Sequence, residues 1–68
     1  MTGRTINGVY IDYTQYMFSH GRSPRGTGMW AFAWDNEIRI FDGTFQDACR
    51  TAAAEALQAG VSRIEVGS

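Results

Sequence analysis

Residues 29–41 have the sequence MWAFAWDNEIRIF, and the fold prediction starts from the pattern of this stretch. Its first half alternates three large aromatic side chains with methionine and alanine, which is the two-residue period of a β-strand. Asp35 and Asn36 then form a two-residue turn signal, because both residue types tolerate a positive φ angle. Alternation resumes after the turn. The stretch therefore predicts a β-hairpin whose strands span 29–34 and 37–41.

The predicted helix follows this hairpin. An Asp-Gly pair interrupts the strand, Thr44 is a good N-cap residue, and Asp47 lies three positions later, close to the capping-box spacing. Small and apolar residues then recur at helical spacing, at Phe45, Cys49, Ala52, Ala53, Ala56 and Leu57. Gly60 is the residue type expected just after a helix C-terminus. We predict a helix over 44–59 and expect no other helix in the chain.

Two further strands complete the predicted fold. Residues 9–18 are rich in β-branched and aromatic types, and residues 62–66 alternate apolar with charged side chains. Short connections favour an antiparallel meander of the first three strands, and a right-handed crossover favours a last strand parallel to the first. We therefore predict one α+β domain over residues 1–68. It has the order β-β-β-α-β, a four-stranded mixed sheet of strand order 3-2-1-4, and one helix packed on one face.

Strand alternation assigns side chains to the two faces of this sheet. The helix-facing set is expected to contain Val9, Ile11, Ile38, Ile40, Ile64 and Val66. The open face is expected to carry Tyr10, Tyr16, Phe18, Arg39, Phe41, Arg63 and Glu65. Two roles remain open for Trp30 and Trp34. They are either core residues under the alanine-rich helix or exposed platforms on which bases stack.

The composition excludes several classes of protein. A chain of 68 residues, 44% of them hydrophobic, suits one small globular domain. Six arginines, no lysine and seven acidic residues give a net charge of −1, so no global positive field attracts nucleic acid or a membrane. Cys49 is the only cysteine, which excludes an intrachain disulfide and a cysteine-rich metal site. Since no apolar run reaches membrane-spanning length, we expect a soluble, cytoplasmic protein.

The segment 20–28 has the most specific-looking pattern in the chain. It places His20, Arg22 and Arg25 among three glycines, of which Gly26 is the central one. Glycines let backbone N–H groups approach a ligand, and the cationic side chains suit a phosphate or the carboxylates of a protein partner. The alternative is a flexible connector with solvated arginines. The segment is longer than a hairpin requires, which favours a functional role.

The order of elements resembles the first half of a ribonuclease H-like fold. The resemblance rests on Asp12 late in the first strand, on the glycine-rich loop before the second strand, and on Asp47 early in the helix. It covers most of this chain and about half of that fold. It implies that two metal-binding carboxylates of the family correspond to Asp12 and Asp47, whereas Gly67-Ser68 stand where the family has another. Because two-metal catalysis needs carboxylates gathered around both ions, we predict no nuclease activity.

The remaining patterns favour binding over catalysis. His20 is the only histidine, and no carboxylate that could orient it is adjacent in sequence. Its neighbour Ser19 does not indicate a catalytic triad, because the members of a triad meet through the fold. We therefore predict no enzyme, cofactor or metal site. We predict a small non-catalytic binding or inhibitor protein of the type that phages and mobile elements encode, such as anti-CRISPR proteins.

Its predicted contact residues lie in the loop and on the open face: Tyr16, Phe18, His20, Arg22, Arg25, Gly26, Arg39 and Phe41. A protein partner is favoured because domains that bind nucleic acid are usually basic. The alternative is a nucleotide or single-stranded nucleic acid, bound through arginines and aromatic stacking. The open face is also expected to support a homodimer.

Overall fold

The computed structural model describes residues 2–67. Within this range it contains β1 (Gly3–Ile6), β2 (Val9–Asp12), α1 (Thr14–His20), β3 (Thr27–Trp34), β4 (Glu37–Thr44), α2 (Phe45–Gln58) and β5 (Arg63–Val66). The strands form one mixed sheet in the order β1-β2-β5-β3-β4, and α2 packs on one face of it. The predicted α+β class with a mixed sheet is confirmed, with one strand more than expected. No helix in the described range has the length and apolar character needed to cross a membrane.

Helix α2 forms as its sequence signals predict. The Thr44 side chain accepts a hydrogen bond from the backbone N–H of Asp47 at 3.1 Å, which caps the first turn. At the other end, the N–H of Val61 donates to the carbonyl of Ala56 at 2.8 Å and that of Gly60 to Leu57 at 3.0 Å. Gly60 has φ +76°, so the helix ends in a Schellman motif that favours glycine at this position.

The first strand, β1, was not predicted. Asn7 and Gly8 have φ angles of 52° and 84°, and they turn the chain so that β1 pairs antiparallel with β2. An Asn-Gly pair is the strongest short-range hairpin signal in a sequence, because both central residues of a type I′ turn need positive φ. The hairpin at Asp35 and Asn36, with φ angles of 54° and 62°, uses the same conformation and confirms the predicted turn.

Helix α1 corrects two predictions at once. The segment 9–18 is not one long strand, and the helix over 44–59 is not the only one. The strand ends at Asp12, whose carboxylate accepts a hydrogen bond from the N–H of Thr14 at 2.9 Å. This local bond offers the backbone an alternative to the sheet ladder and starts α1. The helix ends at Gly21, which has φ +69° and donates its N–H to the Met17 carbonyl at 2.7 Å.

The predicted strand order 3-2-1-4 is also wrong. Strand β5 is parallel to β2, as expected, but it lies between β2 and β3 instead of outside β2. The prediction assumed a tight connection between the strands now numbered β2 and β3. Because α1 and the loop 21–26 occupy that connection, β3 is held away from β2 and leaves the central position to β5.

The core lies between the sheet and α2. Trp30, Phe32 and Trp34 are all buried, which settles their role as core residues. The other buried hydrophobic residues are Val9, Ile11, Phe45, Ala48, Cys49, Ala52, Ala53, Ala56, Ile64 and Val66. Ile38 and Ile40 were predicted under the helix and are exposed instead. Since the two-residue turn places Glu37 opposite Trp34, the isoleucines point to the face opposite the aromatic row.

Candidate binding surface

The sheet face opposite α2 carries a group of exposed aliphatic residues on β3 and β4. Met29, Ile38 and Ile40 are 72%, 73% and 57% exposed. Ala31 lies opposite Ile40 and Ala33 opposite Ile38, so these side chains adjoin on one face. We call this group, Met29, Ala31, Ala33, Ile38 and Ile40, the aliphatic strip. It borders the free edge of the sheet, because β4 is an edge strand.

A pocket of about 380 Å³ lies at one end of the strip, between α1 and the start of β3. We call it the cationic pocket. Its lining residues are Tyr16, His20, Arg22, Arg25, Thr27, Gly28, Met29, Trp30, Ala31 and Gly67. None of these residues is acidic. The structure therefore brings four of the predicted site residues into one concave surface. Tyr16 and His20 belong to α1, and Arg22 and Arg25 belong to the loop that follows it.

Local contacts fix the wall of the cationic pocket. The rings of Tyr16 and His20 are stacked, with centroids 4.1 Å apart, as one turn of α1 dictates for positions i and i+4. The Tyr16 ring also lies 5.7 Å from that of Trp30. Trp30 is held in turn by its indole N–H, which donates to the Gly43 carbonyl at 3.1 Å. An aromatic wall thus stands beside the cationic side chains.

The loop that carries the arginines is tied down at several points. Pro24 is buried, and the carbonyl of Gly26 accepts a hydrogen bond from the N–H of Phe45 at 3.0 Å. Gly26 has φ +87°, a conformation that favours glycine. It does not line the pocket. Its place in the structure is to connect the loop to the start of α2, which differs from the ligand contact that the sequence suggested.

The charges of Arg22 and Arg25 are not neutralised within the described range. Neither forms an ion pair with any residue of 2–67. By contrast, Arg50 lies 3.6 Å from Asp47 and Arg63 pairs with Asp12. Two exposed guanidinium groups lie beside a histidine, and the part of the lining that the structure describes contains no carboxylate. This end of the molecule is therefore attractive to an anion.

Two of the predicted site residues, Arg39 and Phe41, lie on the sheet face that α2 covers. The prediction that Arg39 and Phe41 occupy the open face is wrong, because both face α2. The Arg39 guanidinium lies 3.0 Å from Glu37, 4.0 Å from Glu55 and 4.3 Å from the centre of the Trp34 ring. Phe41 packs against the buried core, with its ring centroid 5.9 Å from that of Phe32. These contacts make the two residues part of the packing around α2.

A second concavity, of about 550 Å³, lies on the other side of α1. Phe18, another predicted site residue, stands at its rim and is 91% exposed. Asp12, Arg63 and Glu65 line it from the strands. Hydrogen bonding by Thr14 and the positive charge of Arg63 hold the pKa of Asp12 below its usual range.

The carboxylates singled out by the ribonuclease H-like resemblance have partners within the chain. Asp12 is bound by Thr14 and Arg63, and Asp47 belongs to the exposed first turn of α2, 3.6 Å from Arg50. No group of three or more His, Cys, Asp or Glu side chains in residues 2–67 is arranged to hold a metal ion.

The sequence prediction missed the aliphatic strip. Its signal was present, because alternation already requires that either the Trp30 row or the isoleucine row of β3 and β4 faces solvent.

Comparison of the chain with protein-family models, curated proteins and solved structures found no match.

Proposed function

We propose that the chain is a non-catalytic binding module that docks on a protein partner through the aliphatic strip and the cationic pocket. One observation carries this proposal. Met29 and Ala31 belong to the strip and also line the pocket, so the two features form one continuous surface. Docking would cover part of the partner's surface, so inhibition of that partner is the activity that we propose.

The chemistry of this surface fits a protein better than a nucleic acid. Burying exposed aliphatic side chains contributes about 25 cal/mol per Å² of apolar area removed from water. A polynucleotide offers mainly phosphates and base planes, which reward cationic and aromatic groups. A protein surface offers apolar and acidic groups together, and the strip with its adjoining pocket complements both.

The stacked pair of Tyr16 and His20 supports one alternative. An aromatic wall beside Arg22 and Arg25 could hold a base and a phosphate, so a nucleotide or single-stranded nucleic acid is the second candidate. Binding of a nucleotide or nucleic acid at the pocket would give the exposed Ile38 and Ile40 no role. For that reason we favour the protein partner.

Photo-crosslinking in the cell that natively expresses the chain tests the proposal. A photoreactive phenylalanine analogue replaces Met29 on the proposed surface and, as the control, Gln46 on the exposed side of α2. We expect a discrete protein adduct from position 29 that survives nuclease treatment and is absent from position 46. Adducts to nucleic acid alone, or equal labelling from both positions, would contradict the proposal.

The identified partner then allows a quantitative test. The double variant Arg22→Ala/Arg25→Ala should bind it at least tenfold more weakly, whereas Arg50→Ala, which removes an exposed arginine from α2, should bind like the wild type. The loss should appear mainly in the dissociation rate. A log–log salt slope that drops by about 0.7–0.9 for each arginine removed would indicate phosphate contacts along a nucleic acid instead.

A further inference from the structure

We propose that the cationic pocket receives a phosphorylated side chain of the protein partner. This inference rests on the proposed function and specifies the chemistry of one part of the same surface. The chain would then bind a phosphorylated partner selectively, and it would not bind every acidic protein surface.

The charge in the pocket argues for a dianion. His20, Arg22 and Arg25 line it together, and none of the lining residues within 2–67 is acidic. One guanidinium fork already satisfies a single carboxylate. A phosphorylated side chain carries about −1.5 to −2 charges at pH 7 and three acceptor oxygens, which match two forks and an imidazole. The excess of donors in the pocket therefore favours phosphate over carboxylate.

Backbone hydrogen bonds anchor both ends of the loop that carries the two arginines. The N–H of Gly21 is bonded to Met17 at one end, and the carbonyl of Gly26 to Phe45 at the other. Pro24 is buried between them. A loop held at both ends and at its middle loses little backbone entropy on binding, which strengthens binding by a few contacts.

The isolation of the pocket argues against a polynucleotide. Nucleic acid binders present cationic groups along a path that follows successive phosphates. Outside the loop, Arg39, Arg50 and Arg63 are each paired with a carboxylate within the described range. Arg4 lies on β1, at the opposite edge of the sheet from β4. A single phosphate site next to an aliphatic strip fits one modified side chain with apolar neighbours.

The experiment titrates the isotope-labelled protein with five probes and follows its backbone amide resonances by NMR. The probes are inorganic phosphate, AMP and three forms of one peptide, Ala-Ile-X-Ile-Ala, in which X is phosphoserine, glutamate or serine. We expect the phosphoserine peptide to shift the amides of residues 21–28 together with those of Met29, Ile38 and Ile40. It should bind at least about tenfold more tightly than the glutamate peptide, because it adds charge and an acceptor oxygen.

Variants separate binding from folding. Arg22→Ala/Arg25→Ala should abolish the shifts while its spectrum stays folded, Arg22→Lys/Arg25→Lys should weaken them, and Arg50→Ala should leave them unchanged. Equal affinity for the phosphoserine and glutamate peptides would overturn the proposal in favour of a carboxylate site. Tighter binding of AMP than of the phosphoserine peptide would overturn it in favour of a nucleotide site, and no shift with any probe would overturn it outright.

This result is distinct from the crosslinking result. A nuclease-resistant protein adduct at position 29 together with no preference for phosphoserine would sustain the docking function and refute the phosphate pocket. Phosphoserine binding without any protein adduct would refute docking through the strip.

Discussion

Arg63, at the start of β5, donates a hydrogen bond to the carboxylate of Asp12, at the end of β2. The two residues are 51 positions apart in sequence and lie on neighbouring parallel strands. Asp12 is only 7% exposed, and its other oxygen accepts the N–H of Thr14. The Asp12 carboxylate thus binds the first residue of α1 through one oxygen and Arg63 of β5, the central strand, through the other.

This relationship predicts an acid-sensitive fold. The pKa of Asp12 is lowered in the folded protein, so ionised Asp12 stabilises the native state at pH values above the ordinary aspartate pKa of about 3.9. That stabilisation is lost as the pH falls below about 4 and through the lower folded value. Urea unfolding between pH 7 and pH 2.5 should show the decline.

The matched variants for this experiment are Asp12→Asn and Asp42→Asn, the latter at an exposed position of β4. Asp12→Asn should lower the free energy of unfolding at pH 7 by about 1.5–3 kcal/mol, the range for a hydrogen bond to a charged group, and should flatten the decline below pH 4. Asp42→Asn should have little effect on the free energy of unfolding at pH 7 or on its decline below pH 4. Parallel pH curves for Asp12→Asn and the wild type would contradict the assignment.

Helix α2 packs closely against the sheet, so the same substitution should have different effects on its buried and exposed faces. Ala53 is fully buried against the sheet, and Ala54 is exposed. Ala53→Leu should overpack this contact and lower the free energy of unfolding by about 1–3 kcal/mol, whereas Ala54→Leu should stay within about 0.5 kcal/mol of the wild type. Chemical denaturation of both variants measures the difference. Equal effects would mean that the helix packs through another face.

The Cys49 thiol should be inert in the native state. It is fully buried in α2, and burial raises its pKa to about 12. Because the thiolate is the reactive form, a disulfide reagent at pH 8 should label the native protein only through transient opening. Labelling should become fast in denaturant. Rapid native-state labelling at the rate of a free thiol would show that α2 does not cover this residue.

The aliphatic strip should also support self-association at high concentration. Strand β4 is an eight-residue edge strand that carries the exposed Ile38 and Ile40 and has no proline or lysine to block pairing. Sedimentation at several hundred micromolar should show a homodimer, and Ile38→Glu should weaken it. A strict monomer at that concentration would leave the strip entirely to the protein partner.

Several elements were predictable because their signals are local. The turn at Asp35 and Asn36 and the caps of α2 at Thr44 and Gly60 each depend on a few adjacent residues. Two further local signals were present and not used. The Asn7-Gly8 pair encodes the first hairpin, and the spacing of Asp12 and Thr14 allows the side-chain bond that ends β2 and starts α1.

Which side chains share a face of each strand can be read from the sequence alone, because alternation is a property of the extended backbone. Which of the two faces α2 covers depends instead on how the elements pack together. Burying Trp30, Phe32 and Trp34 removes more apolar area from water than burying Ile38 and Ile40, so α2 packs on the aromatic row and the isoleucines face outward. The position of β5 between β2 and β3 could not be read from the sequence either. Pairing between segments that are distant in sequence depends on the space that the other elements leave.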